Sequence, residues 1–236
     1  MASYDHGKHI VVSPHLDDAA LSASWPIIHR SAEVLTVFAG APEPGSPVGW
    51  WDLENGVTDS TTHVARRISE DIEALEILGV RSACRMNILE AQYRQHPAAA
   101  GDFIDELEPL LDTATHVWGP IGKAQHPDHW SVNAALRLLA ARSHTGWKLS
   151  FYAELPYCLD ETWRAVASDP TAMPLDGYRR LDPASLARKR AAVAAYRSQL
   201  TALGLGEESH PDFDPLSIEH YTDYRCLSPT AETLDQ

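Results

Sequence analysis

Between residues 8 and 153, short apolar runs take turns with longer amphipathic stretches, and this alternation constrains the chain more than any single residue does. Residues 8–13 (KHIVVS), 33–39 (EVLTVFA), 83–89, 115–118 (THVW) and 148–153 read as strands, and residues 18–30, 61–78, 102–111 and 129–142 as helices. The third stretch sets Val64, Ile68, Ile72, Leu75 and Leu78 at helical spacing, with Gly79 where a C-cap glycine belongs. Residues 40–59 are broken by prolines and glycines and predict a loop. Five strands separated by helices predict an α/β fold, a Rossmann-like, doubly wound, mostly parallel sheet with helices on both faces. Beyond residue 157 the pattern is irregular. Asp182-Pro183, an N-cap acid before a first-turn proline, opens one clear helix to about residue 203, where Gly204 closes it. A short strand is expected at 221–226. The economical organisation is one domain over 1–236, with a core over about 1–157 and a C-terminal helix and extension over about 158–236.

Composition removes several classes of function. The 33 acidic and 19 basic side chains leave a formal charge of −14, and such a chain repels a phosphate backbone, so a general nucleic-acid binder is not expected. No apolar stretch approaches the ~20 residues of a membrane span. The N-terminal MASYDHGKHIVVS lacks the basic-then-apolar layout of a secretion signal, and a cytoplasmic protein is expected. Cys84, Cys158 and Cys226 are odd in number and far apart, which predicts neither a disulfide framework nor a cysteine zinc site. Histidine is the unusual residue, with 12 copies. What matters is where they cluster.

The first strand ends in Ser13-Pro14-His15-Leu16-Asp17-Asp18-Ala19. In a doubly wound sheet ligands bind at the C-terminal ends of strands. No glycine lies between Gly7 and Gly40, which argues against a dinucleotide cradle there. His15 and Asp18 suit a borderline cation such as Zn²⁺, leaving Asp17 beside it to take a proton. Asp17 or Asp18 could equally cap the following helix. A second cluster, Gln125-His126-Pro127-Asp128-His129, follows the fourth strand, and Asp128 could be another cap. Topology joins the two. In a 3-2-1-4-5 sheet, strands one and four are neighbours at the switch point, ~4.8 Å apart. His15, Asp18 and one histidine of the second loop would then make a three-ligand site with an open fourth position, the pattern of a catalytic zinc.

These residues resemble the PIG-L/LmbE-like family of zinc-dependent N-deacetylases, which remove acetyl groups from N-acetylglucosamine-type compounds. The family's H-P-D-D-E motif corresponds to His15–Ala19, and its H-P-D-H motif is intact at His126–His129. Arg67-x-x-Glu70-x-x-x-Ala74 with Leu78-Gly79, the segment Tyr152–Tyr157, and Lys189 with Tyr196-Arg197-Ser198-Gln199 look like weaker family features in the same order. The resemblance implies His15, Asp18 and His129 as zinc ligands, Asp17 as general base, and His126 as the group facing the developing oxyanion. Asp128 would orient or tune His126, and Arg67 would contact substrate. On that reading zinc-bound water, ionising near pH ~7, attacks the amide, while the metal and a protonated His126 stabilise the oxyanion. Either Asp17 or His126 could then protonate the leaving amine.

Two departures stand out. Leu16 replaces the family's proline and Ala19 its glutamate, the second bearing on substrate choice. Trp50 and Trp51, in the loop after strand two, could stack on a sugar ring or an acyl chain, or cover the core. Lys189, Tyr196 and Gln199 are expected to pack the late helix. The partner expected is a small amino sugar or glycoside, and a homo-oligomer is compatible with this. The rival readings are a zinc amidase for a longer N-acyl or thiol-conjugate amide, and a non-catalytic α/β binding module.

Overall fold

The computed structural model describes residues 7–122, 126–142, 146–160, 177–204 and 214–224. Cys226, His6 and Gln125, and the end of the strand expected at 221–226, lie outside them. The strands are β1 (His9–Ser13), β2 (Glu33–Thr36), β3 (Ala83–Arg85), β4 (His116–Pro120), β5 (Lys148–Tyr152), β6 (Tyr178–Arg180) and β7 (Ile218–Asp223). The helices are α1 (Asp18–Ser22), α2 (Ser24–Arg30), α3 (Trp50–Glu54), α4 (Ser60–Leu78), α5 (Ile104–Leu111), α6 (Pro127–Ala141) and α7 (Pro183–Ala195). They build one seven-stranded sheet in the order β3-β2-β1-β4-β5-β7-β6. The first five strands are parallel in the expected 3-2-1-4-5 order, and β7 and β6 extend the edge antiparallel.

Successive residues of a strand face opposite sides, and the core follows that period. Ile10 and Val12 pack with Val117, Phe151 and the α5 and α6 residues Leu107, Leu136 and Leu139. Val11 turns the other way, into a layer with Val34, Trp118, Leu75 of α4 and Ala192 of α7. Each fully buried valine or leucine contributes about 1.5–3 kcal/mol relative to exposure. The order of strands and both helix layers place the C-terminal ends of β1 and β4 side by side at the winding reversal, with Val11 opposite Trp118.

Local chemistry sets the element ends. The Asp59 side chain accepts from the N–H groups of Thr61 (3.0 Å) and Thr62 (3.3 Å) to start α4, and Gly79 at φ 75° closes it. The helix expected over 18–30 is broken at Ala23, because Pro26 has no N–H to continue the ladder across that turn. The expected loop at 40–59 contains the short helix α3. The late helix stops at Ala195, eight residues before the expected end, where Tyr196 leaves helical geometry (ψ 54°). No described helix is long and apolar enough to cross a membrane.

Candidate active site

The loops after β1 and β4 meet at one cavity of about 270 Å³. His15, Asp17, Asp18, His126 and His129 line it, along with Arg67 and Glu90. Neither aspartate after β1 serves as a cap. Asp17 occupies the N-cap position but makes no capping hydrogen bond, and Asp18 Oδ2 instead accepts the His15 N–H at 2.9 Å. In the second loop the cap of α6 is His126, whose Nδ1 accepts the Asp128 N–H at 3.3 Å.

Asp18 Oδ2 lies 3.3 Å from His15 Nδ1 and 3.4 Å from His129 Nε2. Four ligands about 2.0–2.1 Å from a tetrahedral zinc are separated from one another by about 3.3 Å, so both spacings fit. The outward nitrogen of each imidazole is already engaged: His15 Nε2 with Asp128 Oδ2 and His129 Nδ1 with Glu154 Oε1, both at 3.1 Å. A neutral imidazole that donates outward presents a bare lone pair inward. Two lone pairs then face one carboxylate oxygen, an arrangement that calls for a proton or a cation between them. Carboxylate-backed histidines are the usual companions of metal ligation. His15, His126 and His129 also form a group whose ligand atoms lie within 4.8 Å of one another, so His126 is close enough to serve as a third imidazole.

Electrostatics follow from burial and crowding. Burial opposes the charge on His15, yet the Asp128 and Asp18 carboxylates hold its imidazole well above the ordinary value. Burial also opposes the charge on Asp18, but His129 and His15 bring its carboxyl down to about 2. Asp17 goes the other way, raised by burial and by its neighbour Asp18. His126 is pushed down to about 4 by burial and by the two nearby imidazoles. The expected protonated His126 therefore does not fit its surroundings. With Nδ1 accepting from Asp128, the neutral ring carries its hydrogen on Nε2 and remains a donor.

Asp128 acts on His126 through its N–H, which holds the ring, and through its charge, which opposes the downward shift. Its carboxylate does not bond the His126 ring, because Oδ2 is shared between His15 and the Ala91 N–H (2.9 Å) and Oδ1 is paired with Arg94. These partners bring Asp128 down to about 2 against the cost of burial. Arg67 is buried and bonds Glu90 Oε1 through a terminal nitrogen at 2.5 Å, whereas its neighbour Arg66 is exposed beside Glu70. Trp50 and Trp51 line the cavity, with Trp50 56% exposed, which places it at the rim and not over the core. Lys189 and Tyr196 are buried off the cavity, whereas Gln199 reaches it. Ala19 packs in the core layer of α1, where the family's glutamate would be buried. Glu90, Arg94 and Glu154 were not singled out from sequence. Glu154 had a usable signal, since it follows β5, the neighbour of β4.

The profile of the PIG-L family, described as GlcNAc-PI de-N-acetylase, matches residues 10–140. No curated protein sequence matches significantly. Among solved structures, the A40926 pseudoaglycone deacetylase Dbv21 is similar at 25% identity and a TM-score of 0.68, over 93% of this chain and 99% of that one. The zinc-inhibited form of teicoplanin deacetylase Orf2 is similar at 24% identity and a TM-score of 0.66, over 92% and 98%. The N,N'-diacetylchitobiose deacetylase of Pyrococcus horikoshii is similar at 15% identity and a TM-score of 0.58, over 92% and 83%. The two matches below 25% identity speak to the fold alone.

Proposed function

The chain belongs to the PIG-L family, and from that premise we propose that it is a zinc-dependent N-deacetylase acting on an N-acetylglucosamine-type amino sugar or small glycoside. One observation carries the reading: His15 Nδ1 and His129 Nε2 converge on Asp18 Oδ2 at tetrahedral ligand spacing, each imidazole backed by a carboxylate. His15, Asp18 and His129 would hold the ion, with Asp128 and Glu154 fixing the two rings. A zinc ion there supplies Lewis acidity, lowering the pKa of water to about 7 and polarising the amide carbonyl.

The remaining steps belong to side chains. Asp17, raised by burial and by Asp18, is suited to take a proton from the attacking water and to keep it. His126 donates its Nε2–H to the carbonyl oxygen as negative charge develops, a contact worth about 3–4 kcal/mol. When the C–N bond breaks, the amine needs a proton. A neutral imidazole is too weak an acid to give one, so protonated Asp17 returns the proton it took. Water and amide become carboxylic acid and amine, and the acid's proton passes on so that they leave as carboxylate and ammonium. Arg67, held by Glu90 at the cavity wall, is positioned to orient polar groups of the sugar.

A second reading, a longer N-acyl amide, is favoured by the apolar side of the cavity, where Leu21, Leu155 and Leu203 join Trp50, Trp51 and Tyr157. One assay separates the two. Zinc-loaded protein is given N-acylglucosamine glycosides of graded acyl length, and released carboxylate is measured. The proposal expects fastest release from the N-acetyl compound, with kcat falling about 10²- to 10⁴-fold in Asp17→Asn. A rate rising with chain length selects the second reading, and undiminished activity in Asp17→Asn contradicts the mechanism.

A further inference from the structure

The late motif Tyr196-Arg197-Ser198-Gln199 contributes more than packing. Its first residue leaves α7 and drives a phenol through the interior to the β1 loop. Tyr196 is 2% exposed, and its hydroxyl lies 2.9 Å from the carbonyl oxygen of Leu16, the residue between His15 and Asp17. The same hydroxyl lies 2.9 Å from Asp71 Oδ1 on α4. The next turn is tied to α4 as well, with Ser198 donating its N–H (3.2 Å) and hydroxyl (2.6 Å) to Glu70.

Counting hydrogens makes this contact specific. A phenol has one hydrogen to give, and here two buried acceptors face it. If Asp71 were a carboxylate, either it or the Leu16 carbonyl would lose that donor. A proton on Asp71, held below its midpoint, resolves the conflict: Asp71 then donates to the Tyr196 oxygen, and Tyr196 donates to Leu16. The groups facing Asp71 are Arg85 from β3, which donates to Oδ2 through Nε at 3.0 Å, Tyr196 from the end of α7, and Asp17 from the β1 loop, which acts through its charge. Burial is the largest influence on Asp71 and outweighs Arg85, lifting its carboxyl to about 6.

We infer that Tyr196, with Asp71 behind it as hydrogen donor, is a positioning residue that clamps the Leu16 carbonyl and so fixes His15, Asp17 and Asp18 relative to one another. The inference rests on the deacetylase reading for its kinetic consequence, but the clamp is a property of the protein alone. It places no new group in contact with substrate. Two motifs about 180 positions apart in sequence, joined by one hydrogen bond, thereby set the geometry of the site.

The test compares wild type, Tyr196→Phe and Asp71→Asn at a pH below the Asp71 midpoint, where the carboxyl holds its proton. Zinc affinity is read by competition with a chromophoric chelator, and kcat and KM on an N-acetylglucosamine glycoside. Tyr196→Phe removes one oxygen and leaves the ring. It is expected to lower kcat about 10- to 100-fold with KM nearly unchanged, since sub-ångström misplacement of reacting groups acts on the rate, and to weaken zinc binding. Asp71→Asn presents an N–H donor where the carboxylic acid stood, and is expected to stay within about twofold of wild type in both readouts. Tyr196→Phe within twofold of wild type overturns the clamp, and Asp71→Asn as impaired as Tyr196→Phe overturns the hydrogen count. Should Tyr196→Phe fail to fold, the Asp71 carboxyl is titrated in the wild type by carbon NMR. A midpoint near 6 supports the arrangement and one below 4 overturns it. A wild type that neither binds zinc nor releases acetate, with Asp71 still titrating near 6, would instead count against the deacetylase reading and leave the clamp standing.

Discussion

Two regions of this protein bury charge, and they do so in opposite ways. Behind α7, Lys189 Nζ meets Glu219 Oε1 at 2.7 Å with both side chains fully enclosed. Glu219 has four lone-pair directions, and four protein donors fill them: the Ser24 and Trp25 N–H groups, Lys189, and the Tyr221 hydroxyl. At the ends of β1 and β4 the accounting does not close. Asp17 caps nothing, and two imidazole nitrogens, His15 Nδ1 and His129 Nε2, crowd one Asp18 oxygen at the cavity. Where every lone pair is met from within, buried charge orients helices and strands. Where some are left facing a cavity, the same residue types are arranged for a cation and a substrate.

The strongest way to break this contrast is to remove a partner on the saturated side. Lys189→Met leaves the Glu219 charge buried without its counter-ion, and about 3–5 kcal/mol of stability should be lost, read as a shifted urea midpoint. The folded fraction should still take up zinc. Unchanged stability together with lost zinc binding would invert the roles assigned to the two regions. A smaller effect is expected behind the candidate ligands. Glu154 Oε1 accepts the Gly122 N–H at 2.9 Å and faces His129 Nδ1. Glu154→Ala frees the ring and should weaken zinc about 10- to 100-fold, whereas Glu154→Gln, which keeps an acceptor oxygen, should weaken it less. Equal affinities across the three proteins would show that His129 needs no support from Glu154.

How far the sequence could be read follows the same contrast. The five parallel strands were legible because each is a short apolar run set off by helical spacing or turn residues, and 3-2-1-4-5 is a common order for a doubly wound sheet. β6 (YRR) and β7 (IEHYTD) were harder, since β6 is a three-residue charged edge strand and the start of β7 carries Glu219, a buried charge whose partner Lys189 lies on α7. The expected strand at 221–226 begins three residues late for the same reason. The break at Ala23 is local, set by Pro26, whereas the early end of α7 is a tertiary effect, set by where the Tyr196 hydroxyl goes. In the site, residues contiguous in sequence stood out: His15, Asp17 and Asp18 in one motif, His126, Asp128 and His129 in the other. Glu90 and Arg94 stand alone in sequence, and only folding brings them beneath those motifs, whereas Glu154 lies in the segment Tyr152–Tyr157 after β5 but its bond to His129 shows only in the fold. The state of His126 was also out of reach, because its neutrality comes from burial and from His15 and His129.

Whether the cluster at the ends of β1 and β4 holds a metal ion is read by zinc titration of the metal-stripped protein followed by calorimetry. The wild type should bind a single zinc ion per chain, His15→Ala should lose that binding, and Lys189→Met should retain it. A wild type that takes up no zinc, or a His15→Ala protein that binds it as tightly, would show that the cluster is not a metal site.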